Sequence, residues 1–145
     1  MANRVMVVDD EPVNIALVKA MLVNLADDIL GVTESAKATA AFGEFQPDLV
    51  LLDLHMPPPD GLELLQEWTA DRKRRGFLPV IVMTADDRDA MRNTALLLGA
   101  NDFLVKPLDR HEVLLRARNL LHTRHLFLEV MEARGKHSPD EARRP

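Results

Sequence analysis

The sequence predicts an α/β fold in which a five-stranded parallel sheet is covered by helices on both faces. Short apolar, β-branched runs alternate five times with longer stretches of helical period, the signature of repeated βαβ units. The runs at 5–8, 49–52 and 80–83 are apolar at successive positions, as central parallel strands are when helices lie on both sides.

The first strand is expected over 4–8 and the first helix over 12–25, where Pro12 suits a first helical turn. A second strand over 29–33 leads to a helix over 36–45 that Pro47 stops. The third strand, 49–52, precedes a helix over 62–72. The basic run Arg72-Lys73-Arg74-Arg75 then falls at the negative end of that helix dipole. The fourth strand, 80–83, is followed by a helix over 88–98 with Gly99 at its C-terminus. The last strand, 103–105, precedes a helix over 110–131, where Asp109 and Glu112 resemble a capping box. Right-handed crossovers leave few strand orders, among them the flavodoxin-like 2-1-3-4-5. The expected organisation is one domain over 1–123, a C-terminal helical extension over 124–132 serving as linker or dimer helix, and a disordered polar tail over 133–145.

A chain of 145 residues is long enough for one self-sufficient core. Its 47% apolar and 28% charged composition is that of a soluble globular protein, and no apolar run reaches the roughly 18 residues of a membrane helix. The run Val5-Met6-Val7-Val8 is too short for a signal sequence, so a cytoplasmic location is expected, with no membrane contact. The absence of cysteine excludes disulfide and thiolate chemistry. A net charge of −5 argues against a nucleic-acid surface in this chain.

In an open parallel sheet, ligands bind outside the carboxyl ends of the strands. Those ends carry Asp9 and Asp10 after the first strand, Asp53 after the third, Thr84 after the fourth and Lys106 after the fifth. Three carboxylates in one crevice repel each other unless their pKa values rise or a cation joins them. Oxygen-only donors point to Mg²⁺ or Mn²⁺. A carboxylate is a competent covalent phosphate acceptor, and Lys106 and the Thr84 hydroxyl suit two of the phosphoryl oxygens. Taken singly, each residue has an ordinary explanation: Asp9 and Asp10 as helix caps, Asp53 as a turn cap, Thr84 as a loop hydroxyl and Lys106 as a surface charge. Their joint occurrence at the ends of four contiguous strands favours chemistry.

The chain resembles the receiver domains of two-component response regulators. The matching motifs are Val7-Val8-Asp9-Asp10-Glu11, Asp53-Leu54-His55-Met56-Pro57 with Asp60-Gly61, Val82-Met83-Thr84-Ala85, and Gly99-Ala100 with Lys106-Pro107. The resemblance covers 4 to about 123. It implies that Asp53 accepts phosphate, that Asp10, Asp53 and the backbone carbonyl of His55 bind Mg²⁺, and that Asp9 supports the metal through water. It also implies that Lys106 contacts the phosphoryl group through a cis peptide to Pro107, and that Thr84 and the aromatic Phe103 form the switch. The donor would be a histidine kinase or phosphotransfer protein, and helix 4, strand 5 and helix 5 would pass the change to an output domain or downstream protein. Such a chain would not be an enzyme in the usual sense, although it would catalyse its own phosphorylation and dephosphorylation. His55 and Asp86 flank the expected path of the hydrolytic water and are assigned the lifetime of the phosphorylated form.

Apolar pairs recur every seven residues along the last helix, Val113-Leu114, Leu120-Leu121 and Phe127-Leu128, interrupted by Arg118, Arg124 and His125. The repeat fits either a seam for a second copy or an amphipathic face packed on the sheet. Two other functions compete with the switch. A haloacid-dehalogenase-like phosphatase also uses an aspartyl phosphate, but that family has a second Asp two residues after its nucleophile, where this chain has His55. The other is a receiver-like binding module that works without phosphate.

Overall fold

A computed structural model describes residues 2–70, 76–86, 88 and 90–136, the last without its side chain. The strands are β1 Arg4–Val8, β2 Asp28–Val32, β3 Leu49–Asp53, β4 Val80–Thr84 and β5 Asp102–Val105. The helices are α1 Pro12–Met21, α2 Ala38–Phe45, α3 Gly61–Thr69, α4 Ala90–Leu97 and α5 Arg110–Lys136, with a 3₁₀ turn at Ser35–Lys37 before α2. The sheet is all parallel, in the order β2-β1-β3-β4-β5.

Side-chain alternation along the strands divides the core into two layers. Val5, Val7, Leu49, Leu51, Ile81, Met83 and Leu104 face α1 and α5, where they meet Ile15, Val18, Val113, Ala117 and Leu121. Met6, Val8, Val50, Leu52, Val80 and Val82 face the other way, onto Phe42, Leu64, Leu65, Trp68 and Ala95. On that side Phe42 stacks on Trp68 with ring centroids 4.6 Å apart, and the Trp68 indole donates to Thr39 Oγ1. Every residue of β3 and β4 is buried, which accounts for their apolar sequence up to the terminal Asp53 and Thr84.

The boundaries differ from expectation where tertiary contacts take over. Helix α1 ends at Met21, not at 25. Buried Leu22 leaves the helical path, and Asn3 closes the turn by donating from Nδ2 to the Leu25 carbonyl. Helix α2 ends on Gln46 in the left-handed conformation, φ 52°, ahead of Pro47. Only half of the expected capping box forms at α5. The Glu112 N–H donates to Asp109 Oδ2, but the Glu112 carboxylate accepts from Arg116 Nε instead of returning to the cap.

The last helix also runs past its expected end at 131, taking the first residues of the expected tail into α5. Its distal part is anchored on the body of the domain. Arg124 donates from Nε to Asp48 Oδ1 at 2.9 Å and from Nη1 to the Phe77 carbonyl at 2.7 Å, while Phe127 packs on Phe77. Val113 and Leu121 of the seven-residue repeat lie in the core, so those positions record packing against the chain's own sheet. The basic run at 72–75, the end of the expected third helix and the tail from 137 onward lie outside the described residues.

Candidate functional site

The sheet order puts the four chemically distinctive strand ends side by side. Val8 is in register with Leu52, Asp53 with Met83, and Thr84 with Val105. Asp9, Asp53, Thr84 and Lys106 therefore surround one crevice. Asp9, Asp53 and Thr84 are buried, whereas Asp10 is exposed at the rim. One carboxylate oxygen from each of Asp9, Asp10 and Asp53 can be chosen so that all three lie within 4.8 Å of one another.

Backbone donors fix the two buried acids. Asp9 Oδ1 accepts the Glu11 N–H at 2.9 Å, and Asp53 Oδ1 accepts the His55 N–H at 3.1 Å. The remaining oxygens face Lys106, whose Nζ stands 2.9 Å from Asp9 Oδ2 and 3.4 Å from Asp53 Oδ2. The lysine's backbone is itself held, its N–H donating to the Thr84 carbonyl at 2.7 Å, and the Lys106–Pro107 peptide is cis.

Burial raises the Asp53 carboxyl to about 6, assisted by the charge of Asp9 and opposed by the His55 N–H and by Lys106. Burial would lower the Lys106 ammonium, but Asp9 and Asp53 outweigh it and hold the group above its ordinary value. One ammonium thus faces two buried carboxylates, and Asp10 adds a third acid at the rim. The surplus negative charge and the all-oxygen donor set fit a hard divalent cation.

Gly61 sets how closely α3 approaches the end of β3 that carries Asp53. A Cβ there would run into the Asp53 carbonyl oxygen and lie 2.7 Å from Leu54 Cα, and the Gly61 N–H donates to the Leu54 carbonyl at 3.2 Å. The sequence shows Gly61 only as part of a motif, and its steric role becomes visible once α3 is placed. Asp60 caps the same helix, accepting the Glu63 N–H at 2.9 Å.

Thr84 lies at the crevice, but its hydroxyl is engaged by its own loop, donating to the Asp86 carbonyl at 3.2 Å and accepting the Asp86 N–H at 3.3 Å. Asp86 is exposed, and its carboxylate accepts the Arg88 N–H at 2.9 Å. His55 is exposed at the rim. Phe103, half-buried against the α3/α4 side of the core, lies under two guanidinium groups, with Arg92 Cζ 4.6 Å and Arg116 Cζ 5.9 Å from its ring centroid. Neither arginine stands out in the sequence, because nothing in its spacing shows that α4 and α5 converge on one ring.

A doubly wound parallel sheet with buried acids and a lysine at its carboxyl ends defines a phosphate-handling α/β domain. The family comparison makes this specific: residues 5–118 match the model of the response regulator receiver domain, and the chain belongs to that family. It is 36% identical over 118 residues to the transcriptional regulatory protein TrcR of Mycobacterium tuberculosis, covering 81% of this chain and 45% of that protein. It is 34% identical to the DNA-binding dual master transcriptional regulator RpaA of Synechocystis, covering 81% of this chain and 48% of that protein. Among solved structures, NtrX from Brucella abortus superposes with a TM-score of 0.79 at 31% identity, over 92% of this chain and 30% of that one. The chain is thus a regulatory receiver domain of the phosphoacceptor type, and it spans about half the length of the two curated relatives. Nothing in these matches favours the phosphatase reading.

Proposed function

We propose that Asp53 is the phosphoacceptor of this receiver. The observation that carries the assignment is the position of its Oδ2, 3.4 Å from an ammonium that Asp9 holds in place at the end of the neighbouring strand. The donor is a phosphohistidine on a kinase or phosphotransfer protein. An Asp53 oxygen attacks phosphorus in line, the P–N bond breaks, and the imidazole departs with the bonding electron pair and takes up a proton. Lys106 neutralises charge on one equatorial oxygen and the Thr84 hydroxyl, released from its loop, binds another. Asp10, Asp53 and the His55 carbonyl would hold Mg²⁺ or Mn²⁺, with Asp9 supporting it through water. The ion would supply charge neutralisation at the transferring group.

Hydrolysis of the acyl phosphate uses the same constellation, with water attacking phosphorus and Asp53 leaving as carboxylate. His55 and Asp86 border the approach of that water and set the lifetime, His55 through its imidazole and Asp86 through the loop that holds Thr84. Movement of Thr84 toward the phosphate lets Phe103 reposition, and α4, β5 and α5 carry the change to an output domain or downstream protein. The distal part of α5 exposes Leu126, Val130 and Met131, which suits a linker or a contact with a second copy.

Incubation with Mg²⁺ and acetyl phosphate, read by intact mass, tests the assignment. One phosphoryl adduct is expected on the native chain, none on Asp53→Ala and none when the metal is chelated. Continuous turnover of unrelated phosphoesters without an adduct would instead indicate a phosphatase.

A further inference from the structure

We propose that Arg92 is a positioning residue of the switch, a cationic lid that holds Phe103 in the arrangement seen here. The inference rests on the reading of Phe103 as the switch aromatic. The ring is gripped unequally. Arg116 is fixed on α5 by two hydrogen bonds to Asp102, 2.7 and 2.8 Å from Nη1, and by Glu112, 3.1 Å from Nε, and it reaches the ring only at 5.9 Å. Asp102 also accepts the Phe103 N–H at 2.9 Å, which ties that arginine to the strand and not to the ring's rotamer. Arg92 comes from α4 and lies over the ring at 4.6 Å, well inside the distance at which a guanidinium and an aromatic face attract.

Arg92 is placed for the ring. Among the described residues its buried Nε has no hydrogen-bond partner, and its Nη2 donates only to the neighbouring Asn93 side chain at 3.2 Å. In the same arrangement the Thr84 hydroxyl is occupied by Asp86. The two ends of the proposed relay are thus both engaged in this arrangement, Thr84 with Asp86 of its loop and Phe103 with Arg92. A contact made in only one of two conformations favours that conformation by its own free energy. Arg92 therefore restrains the switch, and departure of Phe103 from under it is a part of activation that the acceptor site itself does not control.

The test is the affinity for Mg²⁺ and beryllium fluoride, a non-hydrolysable mimic of the aspartyl phosphate, measured on the full chain by titration. Loss of a half-buried cation–π contact predicts that Arg92→Ala binds the mimic about three- to tenfold more tightly than the native protein. Arg92→Lys should fall between the two. In a Phe103→Leu background the Arg92→Ala substitution should have no further effect, because the coupling passes through the ring. Unchanged or weakened affinity in Arg92→Ala overturns the proposal, as does an equal gain with the ring removed. Selectively labelled phenylalanine in the unliganded protein supplies a second readout. Arg92→Ala should shift the Phe103 ring resonances and χ1 averaging, and unchanged signals overturn the proposal even if no chain binds the mimic. Failure of every chain to bind the mimic would count against the receiver chemistry and not against the restraint.

Discussion

Lys106 and Asp9 form an ion pair at 2.9 Å, shorter than the 3.4 Å between the same ammonium and Asp53. The lysine is thus anchored on Asp9 and only leans on Asp53, the proposed acceptor. It can follow a phosphoryl group on Asp53 without leaving its anchor. Lys106→Met should abolish conformational signalling and slow phosphorylation by at least about tenfold, as expected when a charge-stabilising group is lost. It should also destabilise the metal-free fold near neutral pH by about 3 kcal/mol, since two buried carboxylates lose their counter-charge. Urea unfolding with and without Mg²⁺, alongside adduct formation, checks both.

The raised Asp53 carboxyl gives a pH dependence of definite sign. Below its ordinary value of 3.8 the group is protonated whether the chain is folded or not, and it costs nothing. Between 3.8 and about 6 the unfolded chain gives up its proton first, so stability falls as pH rises, and above about 6 the penalty is complete. Asp53→Asn should therefore raise the metal-free stability at pH 7.5 by about 1–3 kcal/mol. The gain should disappear below about pH 4. Mg²⁺ should raise the Tm of the native chain more than that of the variant. Thermal melts across pH with and without the ion measure all three effects.

Gly61 leaves no room for a side chain against the Asp53 carbonyl and Leu54 Cα. Gly61→Ala must push α3 away from β3. The expected cost is about 1–3 kcal/mol of stability, as for other overpacked sites. Phosphorylation should slow by more than that loss explains, because the displaced backbone carries Asp53 and His55. Initial rates of adduct formation under conditions where the variant is fully folded separate the two effects.

Arg124 offers the opposite contrast. Its partners, the Asp48 carboxylate and the Phe77 carbonyl, lie at the other end of the sheet from the Asp53 crevice. Arg124→Ala should cost about 1–3 kcal/mol, the usual result of breaking half-buried charged hydrogen bonds. It should increase amide exchange in the distal turns of α5 and leave the rate of Asp53 phosphorylation unchanged.

These contrasts also show which features the sequence makes legible. The strands and their order could be read because central parallel strands are apolar on both faces and because βαβ handedness leaves few topologies. The crevice residues could be read because Asp9, Asp53, Thr84 and Lys106 each interrupt or end such a strand. The end of α1 could not, since residues 22–25 keep a helical pattern while the Asn3 side chain closes the turn. Nor could the role of Arg124, which in the sequence only breaks an apolar repeat and in the fold pins the last helix to Asp48 and Phe77. The engagement of Thr84 by Asp86 and of Phe103 by Arg92 likewise depends on loop and helix placement that no local pattern encodes.

The central claim is that Asp53 itself carries the phosphate. Borohydride reduces an aspartyl phosphate to homoserine, so the residue that bore it can be identified by peptide sequencing after treatment with Mg²⁺ and acetyl phosphate. Homoserine at position 53, and at neither 9 nor 10, is the predicted result. Homoserine at Asp9 or Asp10, or a phosphorylated chain with none at 53, would contradict it.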